Sequence, residues 1–596
     1  MVPVTLKGRR KMNRRTFTQH TNMALLGMAC AASGRGEAID EQFLQTLLKD
    51  TWTCLDSMLD PTTGFPQDTQ HPGGHTNATN IGLYLAALCC AKTTGLISHE
   101  KGLRRAEKIM ASLESYNRVY GFMLHIVEVD LSTRDPHGVL AISDFNKLVV
   151  GLVMVRQTWP ELAGRITAYL ETIEWKRLYN GETGELSWGY NFDTDSPTGW
   201  GRLWLTADTR SAAFMMVATE AAPPAIWGRM DRQSKQTEYG TICRGYGMGG
   251  LFLHAMDGLF LPEIDTEVGE SAGNLAWQQI QFAQKRGYSL WGWSNCYLPG
   301  SGYTQGGYLS EHVVTPHAVA LMLDYYPRHA TAALREMATR GGTVPPKGYE
   351  GKEWGLRDSY NMKTRQWDNR YLSLDQGMLF LALANHLHNG LVRRIYTADP
   401  LVQHGLKLLE PYIPHDQELL QTWKQRDGMP WKDNSATPKK IQEIIQLPLS
   451  NHSTDAPSHI QFQPLEAGAI GINYQANGST APTHAIFTFT PVDLSALKSV
   501  EIELETLKSD KPQPGWMRVL IIDRFGQERY AHFELKKKQT TYRIEADDLL
   551  GIHIDEKAAT SLQFQFWRNP WFYSNKRLMA SQLQLKLGSV RLLNQA

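Results

Sequence analysis

The chain is poor in cysteine, and none of its cysteines is spaced for a framework. Cys30, Cys54, Cys89, Cys90, Cys243 and Cys296 form no CxxC pair, so neither a disulfide scaffold nor a structural zinc site is expected. There is no HExxH helix and no GxxxxGK[ST] loop, which removes the common zinc-hydrolase and P-loop chemistries. The glycine run GYGMGG at 245–250 follows no strand of a βαβ unit and does not support a dinucleotide site. A dominant sign of charge is also missing. Sixty-one Lys and Arg against 60 Asp and Glu leave a net charge of +1, which argues against a nucleic-acid partner or a polybasic membrane patch. No apolar run is long enough to span a bilayer. No metal and no cofactor is expected from these patterns.

Aromatic residues are plentiful. The chain carries 17 Trp, 23 Tyr and 19 Phe, many of them in loops beside carboxylates. That pairing suits flat, hydroxylated ligands, whose C–H faces stack on rings while carboxylates take the hydroxyls. The same rings could equally fill a large core, since Trp is highly buried on average. A chain of 596 residues exceeds one ordinary core, so two or three domains are expected. Nothing in the sequence sets an oligomeric state, and a monomer is the default expectation.

The N-terminus, residues 1–38, reads as an export signal. Asn13-Arg14-Arg15-Thr16-Phe17 resembles a twin-arginine motif, and Met23 to Ala32 is short and mildly apolar. The expected location is the periplasm. Cys30 follows Gly27-Met28-Ala29, a poor lipoprotein box, so lipid anchoring is the weaker alternative. From 39 to 430 apolar residues recur every three or four positions, predicting about a dozen helices separated by Trp-, Gly- and Tyr-rich loops. That count fits six helical hairpins closed into an (α/α)6 toroid. An open solenoid fits less well because no repeat of fixed length is visible. Residues 431–465 are rich in Pro and polar residues and read as a linker. After it the period drops to two, with strands predicted at Ala469–Tyr474, Ala485–Thr490, Val500–Leu507, Met517–Asp523, Ser561–Trp567 and Leu583–Leu593. Residues 466–596 are therefore expected to form a β-sandwich of jelly-roll type. Its aromatic strip, Phe564-Gln565-Phe566-Trp567 with Trp571-Phe572-Tyr573, could bind sugar or pack against the helical domain, and packing is preferred.

The stretch from Trp354 to Tyr396 sets Asp358 and Asp375 in aromatic loops ahead of a strongly apolar helix. An acid at the mouth of a buried helix can be a rigidly held catalytic group, or simply an N-cap. Asp208, ahead of another apolar helix, has the same two readings.

Seven stretches then fall in a recognisable order. They are GFPQD (64–68) with TNIGLYLAAL (79–88), AISDFNKLVVGL (141–152), LSWGY (186–190), LTADTRSAAFMM (205–216), GGLFLHAM (249–256), LWGWSNCY (290–297) and RDSYN…WDNRYLSLDQG (357–377). In this order they resemble the "putative glucoamylase" domain of glycoside hydrolase family 144 and related endo-β-1,2-glucanases, a domain also found within cyclic β-1,2-glucan synthases. The resemblance implies an (α/α)6 barrel and inverting, endo-acting hydrolysis of linear β-1,2-glucan to short sophoro-oligosaccharides. An exo-acting or transglycosylating enzyme and a non-catalytic glycan-binding protein are the alternatives. Inverting hydrolysis needs a protonated acid over the glycosidic oxygen and an ionised base for water, roughly 6.5–9.5 Å apart.

By the resemblance, Asp208 is the first candidate for the acid, although the family usually has Glu there and the aspartate is one methylene shorter. Asp375 and Asp144 are candidates for the base. Asp358 is read as binding or supporting, and Glu263 as a reserve acid. Trp188, Tyr190, Trp200, Trp293, Tyr303 and Trp367 are candidates for stacking on sugar rings. His254 and His317 lie in apolar helical stretches and read first as structural histidines, with His254 kept as a substrate-binding candidate because of its motif.

Overall fold

The computed structural model describes residues 40–132, 137–243, 245, 250–304, 310–432, 444–479, 481–551, 556–568 and 578–594. The export-signal reading of 1–38 and the aromatic residues 571–573 lie outside them. No helix among the described residues is long and apolar enough to cross a membrane.

The first part is helical. Its helices are α1 (Glu41–Ser57), α2 (Ala78–Thr93), α3 (His99–Ser115), α4 (Ile142–Thr158), α5 (Ala163–Glu171), α6 (Arg210–Ala218), α7 (Ala225–Arg229), α8 (Leu251–Ala255), α9 (Glu267–Arg286), α10 (Pro316–Ala320), α11 (Pro327–Met337), α12 (Ser373–Leu387), α13 (Leu391–Thr397), α14 (Pro400–Leu409) and α15 (Gln417–Asp427). They fall into two kinds. In α2 every residue from Ala78 to Ala91 is buried, in α4 every residue from Phe145 to Val155, and in α12 every residue from Asp375 to Asn385. A helix apolar on all sides has to sit in a core. By contrast α3 buries only Gly102, Ala106, Ile109, Met110, Ser112 and Leu113, one face at helical spacing.

The fully buried helices are mutual neighbours. α12 packs on α2, α2 on α4, α4 on α6, α8 on α10, and α10 back on α12. Arg210 of α6 donates to the carbonyls of Leu253 and His254 in α8, which joins the remaining pair. The closest approach is α2 against α4. A Cβ on Gly82 would stand 2.0 Å from the Lys147 carbonyl oxygen, and one on Gly151 would stand 2.4 Å from that of Gly82. Only glycine lets the two backbones meet like this.

Helices occur at the predicted places, but the one expected over 375–394 ends at Leu387, the one expected over 400–424 divides into α14 and α15, and three more are shorter than the pattern suggested. The helix expected over 208–220 starts at Arg210, that over 245–259 is α8 followed by a 3-10 turn (Met256–Leu259), and that over 313–326 shrinks to Pro316–Ala320. Gly250 precedes α8 and Pro316 opens α10, while α6 follows the Asp208-Thr209 turn; after α8 a tight turn carries the apolar residues onward.

The second part is two antiparallel sheets. One orders strands Ile460–Pro464, Ile470–Gln475, Gln582–Asn594, Leu497–Ser509 and Thr541–Glu545, with Ile444–Gln446 also paired to Gln582–Asn594. The other orders His452–Thr454, Thr483–Val492, Ala559–Phe566, Gly515–Asp523 and Glu528–Leu535. Residues from both, among them Ile472, Val500, Leu585, Phe487, Val519 and Phe564, share one hydrophobic cluster. Sheet structure begins at Ile444, inside the stretch read as a linker, and the strands at 528–535 and 541–545 were not expected. Phe564 and Phe566 are fully buried in this cluster, so that part of the aromatic strip packs in its own domain, not on the helices and not on a ligand.

Gly82→Ala should destabilise the protein by about 3 kcal/mol, because the added methyl must push two buried backbones apart. Urea unfolding of the purified variant checks this; an unchanged midpoint would contradict the close approach.

Candidate active site

The starts of several buried helices meet at one place. Thr79, at the second position of α2, donates to Asp144, at the third position of α4, at 2.8 Å. Asn146 of α4 donates to Ser211 of α6 at 3.0 Å. The Asn80 amide of α2 donates to Asp68 at 3.1 Å, and the Asp68 carbonyl accepts the first backbone N–H of α12, from Ser373. His317, second in α10, lies 3.2 Å from Asp375, third in α12. Helix N-termini expose unpaired N–H groups and favour negative charge, so carboxylates collect there.

Asp208 sits in the turn just before α6. It is not the N-cap; that position is Thr209, which makes no side-chain cap bond. The carboxyl of Asp208 is half-buried and has no hydrogen bond among the described residues. Burial pushes its pKa up to about 6; Lys147 opposes the shift, while Asp144 and Asp257 add to it. Beneath it lies a buried ionic cluster. The Lys147 ammonium donates to the Asp208 carbonyl at 2.7 Å and to Ser211 Oγ at 2.9 Å, and pairs with Asp257 at 2.8 Å. Arg210 holds Glu263 in a two-point bridge at 2.8 and 2.7 Å. Glu263 is therefore a fixed counter-ion of a fully buried guanidinium. That geometry argues against its use as a reserve acid.

The second group is Asp358, Asp375 and His317, each about 1% exposed. Asp375 is likewise not a cap, since Leu372 holds that position. Asp358 accepts the Tyr297 backbone N–H at 2.8 Å through one oxygen, leaving the other facing Asp375. Two carboxyls this close and this buried cannot both ionise easily. Burial raises Asp375 to about 7, and burial together with the Asp375 charge raises Asp358 well above the usual range. Burial lowers His317 to about 4, so the ring is neutral at neutral pH. One proton held between the two aspartates accounts for this arrangement. The same three side chains could also hold a small divalent cation, since their ligand atoms lie within 4.8 Å of one another. Asp68 completes the rim; its pKa is raised by burial and its charge reaches Asp375. Asp68 and Lys147 were not picked out from the sequence, although both lie inside the motifs GFPQD and AISDFNKLVVGL.

The aromatic candidates divide sharply. Trp200 is 40% exposed. Trp188 is half-buried and packs on Trp204, with centroids 4.9 Å apart. Tyr303 is half-buried against Tyr297, and its hydroxyl feels the charges of Asp375 and Asp358. The other three are core residues. Trp293 is fully buried and donates to the Glu311 carbonyl, Trp367 donates to the Arg340 carbonyl, and Tyr190 is buried with its hydroxyl on Asp195. Their faces are covered, which corrects the expectation that these rings stack on sugar. His254 is 1% exposed and bonded to Ser271 Oγ at 3.2 Å, a structural arrangement. Two cavities of about 200 and 130 Å³ share Glu263 in their linings, one beside Phe214, Trp227 and Leu406 and the other beside Asp324, Tyr325 and Asn385, and neither is lined by Asp144, Asp208, Asp358 or Asp375.

Residues 210–400 match the family model described as "Putative glucoamylase". No curated protein sequence matches the chain. A putative glucoamylase from Bacteroides caccae is similar in structure, with TM-score 0.54 and 19% identity, over 62% of this chain and 99% of that one. An endo-β-1,2-glucanase from Chitinophaga pinensis, in complex with sophorotriose and glucose, aligns with TM-score 0.53 and 18% identity over 62% of this chain and 98% of that one. An endo-β-1,2-glucanase from Talaromyces funiculosus with sophorose aligns at TM-score 0.50 and 12% identity, over 65% of this chain and 92% of that one. The likenesses show a shared fold.

Two outcomes test this electrostatic account. A folded-state pKa of about 6 for Asp208, against 3.8 for a free side chain, means the native state holds this proton more tightly. That stabilisation is complete below pH 3.8 and is lost as pH rises through 6. Asp208→Asn should therefore stabilise the fold at pH 7.5, by about 1–3 kcal/mol, and give no gain near pH 4; urea unfolding at both pH values checks the sign. If Asp358 and Asp375 share a proton, treatment with EDTA leaves the thermal midpoint unchanged; a fall, with a stoichiometric metal in elemental analysis, would instead identify a bound cation.

Proposed function

We propose that this chain, whose residues 210–400 match the glucoamylase-type family model, is an exported glycoside hydrolase that cuts linear β-1,2-glucan within the chain with inversion. On this reading the ring of buried helices is the inner layer of an (α/α)6 toroid, and the sheets form a jelly-roll-like β-sandwich appended to it. The substrate is brought in from the solved neighbours named as endo-β-1,2-glucanases. The observation that carries the reading is the pairing of two carboxyl environments at the meeting point of the helix starts. One is open and unbonded, at Asp208. The other is deeper, at Asp358 and Asp375, each about 1% exposed.

Asp208 acts as the acid. Its raised pKa keeps a fraction of the carboxyl protonated near neutral pH, and its half-exposed position lets it meet a glycosidic oxygen. It gives its proton to the leaving oxygen as the glycosidic bond breaks. Asp375 acts as the base in its ionised form; because burial raises it to about 7, above the value of about 6 at Asp208, the form with Asp208 protonated and Asp375 ionised is the minor one of the pair. Because Asp375 is buried, it takes the proton of the attacking water through an intervening hydroxyl of the substrate, and Asp358 holds its orientation. Trp188, Trp200 and Tyr303 supply stacking faces at the rim. Asp144 is the second reading for the base: it is half-buried, next to Asp208, and so closer to water than Asp375.

The test is incubation with linear β-1,2-glucan beside β-1,3-, β-1,4- and α-1,4-glucans, resolving products over time. A ladder of short oligosaccharides from β-1,2-glucan alone, released first as the α-anomer in proton NMR, is expected. A single small product makes the enzyme exo-acting, and binding without cleavage makes it a glycan-binding protein. Asp208→Asn and Asp375→Asn should each lower kcat at least about 10³-fold with KM little changed, the size expected for a general acid or base. If Asp144→Asn has that effect and Asp375→Asn does not, Asp144 is the base.

A further inference from the structure

The proposed chemistry assigns nothing to the sheet domain, yet four charged residues at its seam with the helical domain face one another. Glu311, 5% exposed, and Arg286 belong to the helical side; Arg529, 3% exposed, and Glu556 belong to the sheet side. Arg529 pairs with Glu311 and, at 3.2 Å, with Glu556. Arg286 pairs with Glu556 and, at 3.2 Å, with Glu311. Tyr288 adds a hydrogen bond to Glu311 at 2.8 Å. Burial alone would raise the Glu311 pKa, but Arg529 and Arg286 outweigh it and hold the group below its usual value. Around this quartet the turn before Arg529 touches the helical domain again, through Gln527 to Gln278 at 3.1 Å and through the Gly526 carbonyl to Lys235 at 2.6 Å.

Glu311 is not an ordinary surface residue of the helical domain. Its own carbonyl receives the Trp293 indole at 3.0 Å. Two residues on, Val313–Val314 pairs with Tyr360–Asn361, and the His312 carbonyl accepts the Met362 N–H at 2.7 Å. Asp358 lies two residues before that strand, and His317 six residues after Glu311. A clamp on Glu311 thus fixes the register of the two segments that deliver Asp358 and His317 to Asp375.

We propose that the sheet domain is a brace for the site, and that Arg529 is a positioning residue which acts through Glu311 on Asp358 and His317. This rests on reading Asp358 and Asp375 as part of the active site. It makes the domain a fixed part of the enzyme and not a detachable sugar-binding module. A guanidinium fork suits the task, because it can hold two carboxylates in one plane, and removal of either Arg529 or Glu311 leaves the buried quartet with an unbalanced charge.

The test is hydrogen–deuterium exchange on the full chain, comparing wild type with Arg529→Gln, Glu311→Gln and the control Arg543→Gln, an exposed residue of the sheet domain paired with Glu501 and Glu545. Arg529→Gln and Glu311→Gln should each raise exchange at least tenfold in peptides covering 311–317 and 357–362, with α2 and α4 within twofold of wild type and the control unchanged. Exchange that rises only inside the sheet domain, or equally in every helix, would overturn the proposal. Should Arg529→Gln fail to fold, Glu311→Gln decides alone, and wild-type exchange in 311–317 and 357–362 overturns it. Exchange needs no substrate, so it stands or falls separately from the glucan reading. Where glucan is cleaved, the same two variants should lower kcat more than they raise KM.

Discussion

A single buried ammonium ties the centre of the helical domain together. Lys147 has three donors and spends them on Asp257, Ser211 and the Asp208 carbonyl. These contacts join α4 to the start of α6 and to the turn after α8. An unpaired charge in such a place would be very unfavourable, so the three partners are fixed together or not at all. Arg210, next along, is matched to Glu263 and to three backbone carbonyls in the same way. Once both cations are satisfied by these partners, the side chain of Asp208 is left without one. An acid held on a rigid turn, half out of water and with no hydrogen-bonded counter-ion among the described residues, is prepared to keep a proton and to give it away.

The same constraint explains the separation of the two carboxyl environments. Asp208 is held above its free value yet remains open to solvent. Asp358 and Asp375 are buried beside a neutral histidine, and burial raises the pKa of both. Fixed helix starts let groups of like charge sit near one another, because each is partly offset by unpaired N–H groups and none can swing away. The Gly82–Gly151 approach of α2 and α4 keeps the Asp144 end of this cluster in place.

Much of this was legible in the chain before folding. The buried helices announce themselves because α2, α4 and α12 are apolar all round, and acidic first turns at Asp144 and Asp375 mark where α4 and α12 begin. Asp208 lies near Asp144, and Asp358 near Asp375, as two separate groups. The short helices α8 and α10 were overextended because the apolar pattern continues through the turns that end them. Lys147 was passed over because a lysine inside an apolar helix gives no local sign that Asp257, far along the sequence, will meet it. His317 read as structural for a similar reason: its partner Asp375 lies on another helix. The aromatic residues misled most. Trp293 and Trp367 sit in loops by sequence, yet those loops fold inward and their indoles bond backbone carbonyls. In the sheet domain, alternation in Thr541–Glu545 is too brief to stand out, and the early strands from Ile444 are masked by Pro and polar residues.

The central claim is that a sugar chain lies across the meeting point of the helix starts, with its scissile oxygen against Asp208. The most direct measurement is a crystal structure of the Asp208→Asn variant soaked with a β-1,2-linked gluco-oligosaccharide. The account predicts a glycosidic oxygen within hydrogen-bond reach of the residue 208 side chain, roughly 2.6–3.2 Å, with rings resting on Trp188 or Trp200 and a sugar hydroxyl directed at Asp375. Sugar bound only on the sheet domain, or in the cavity beside Trp227 and Leu406, would contradict it.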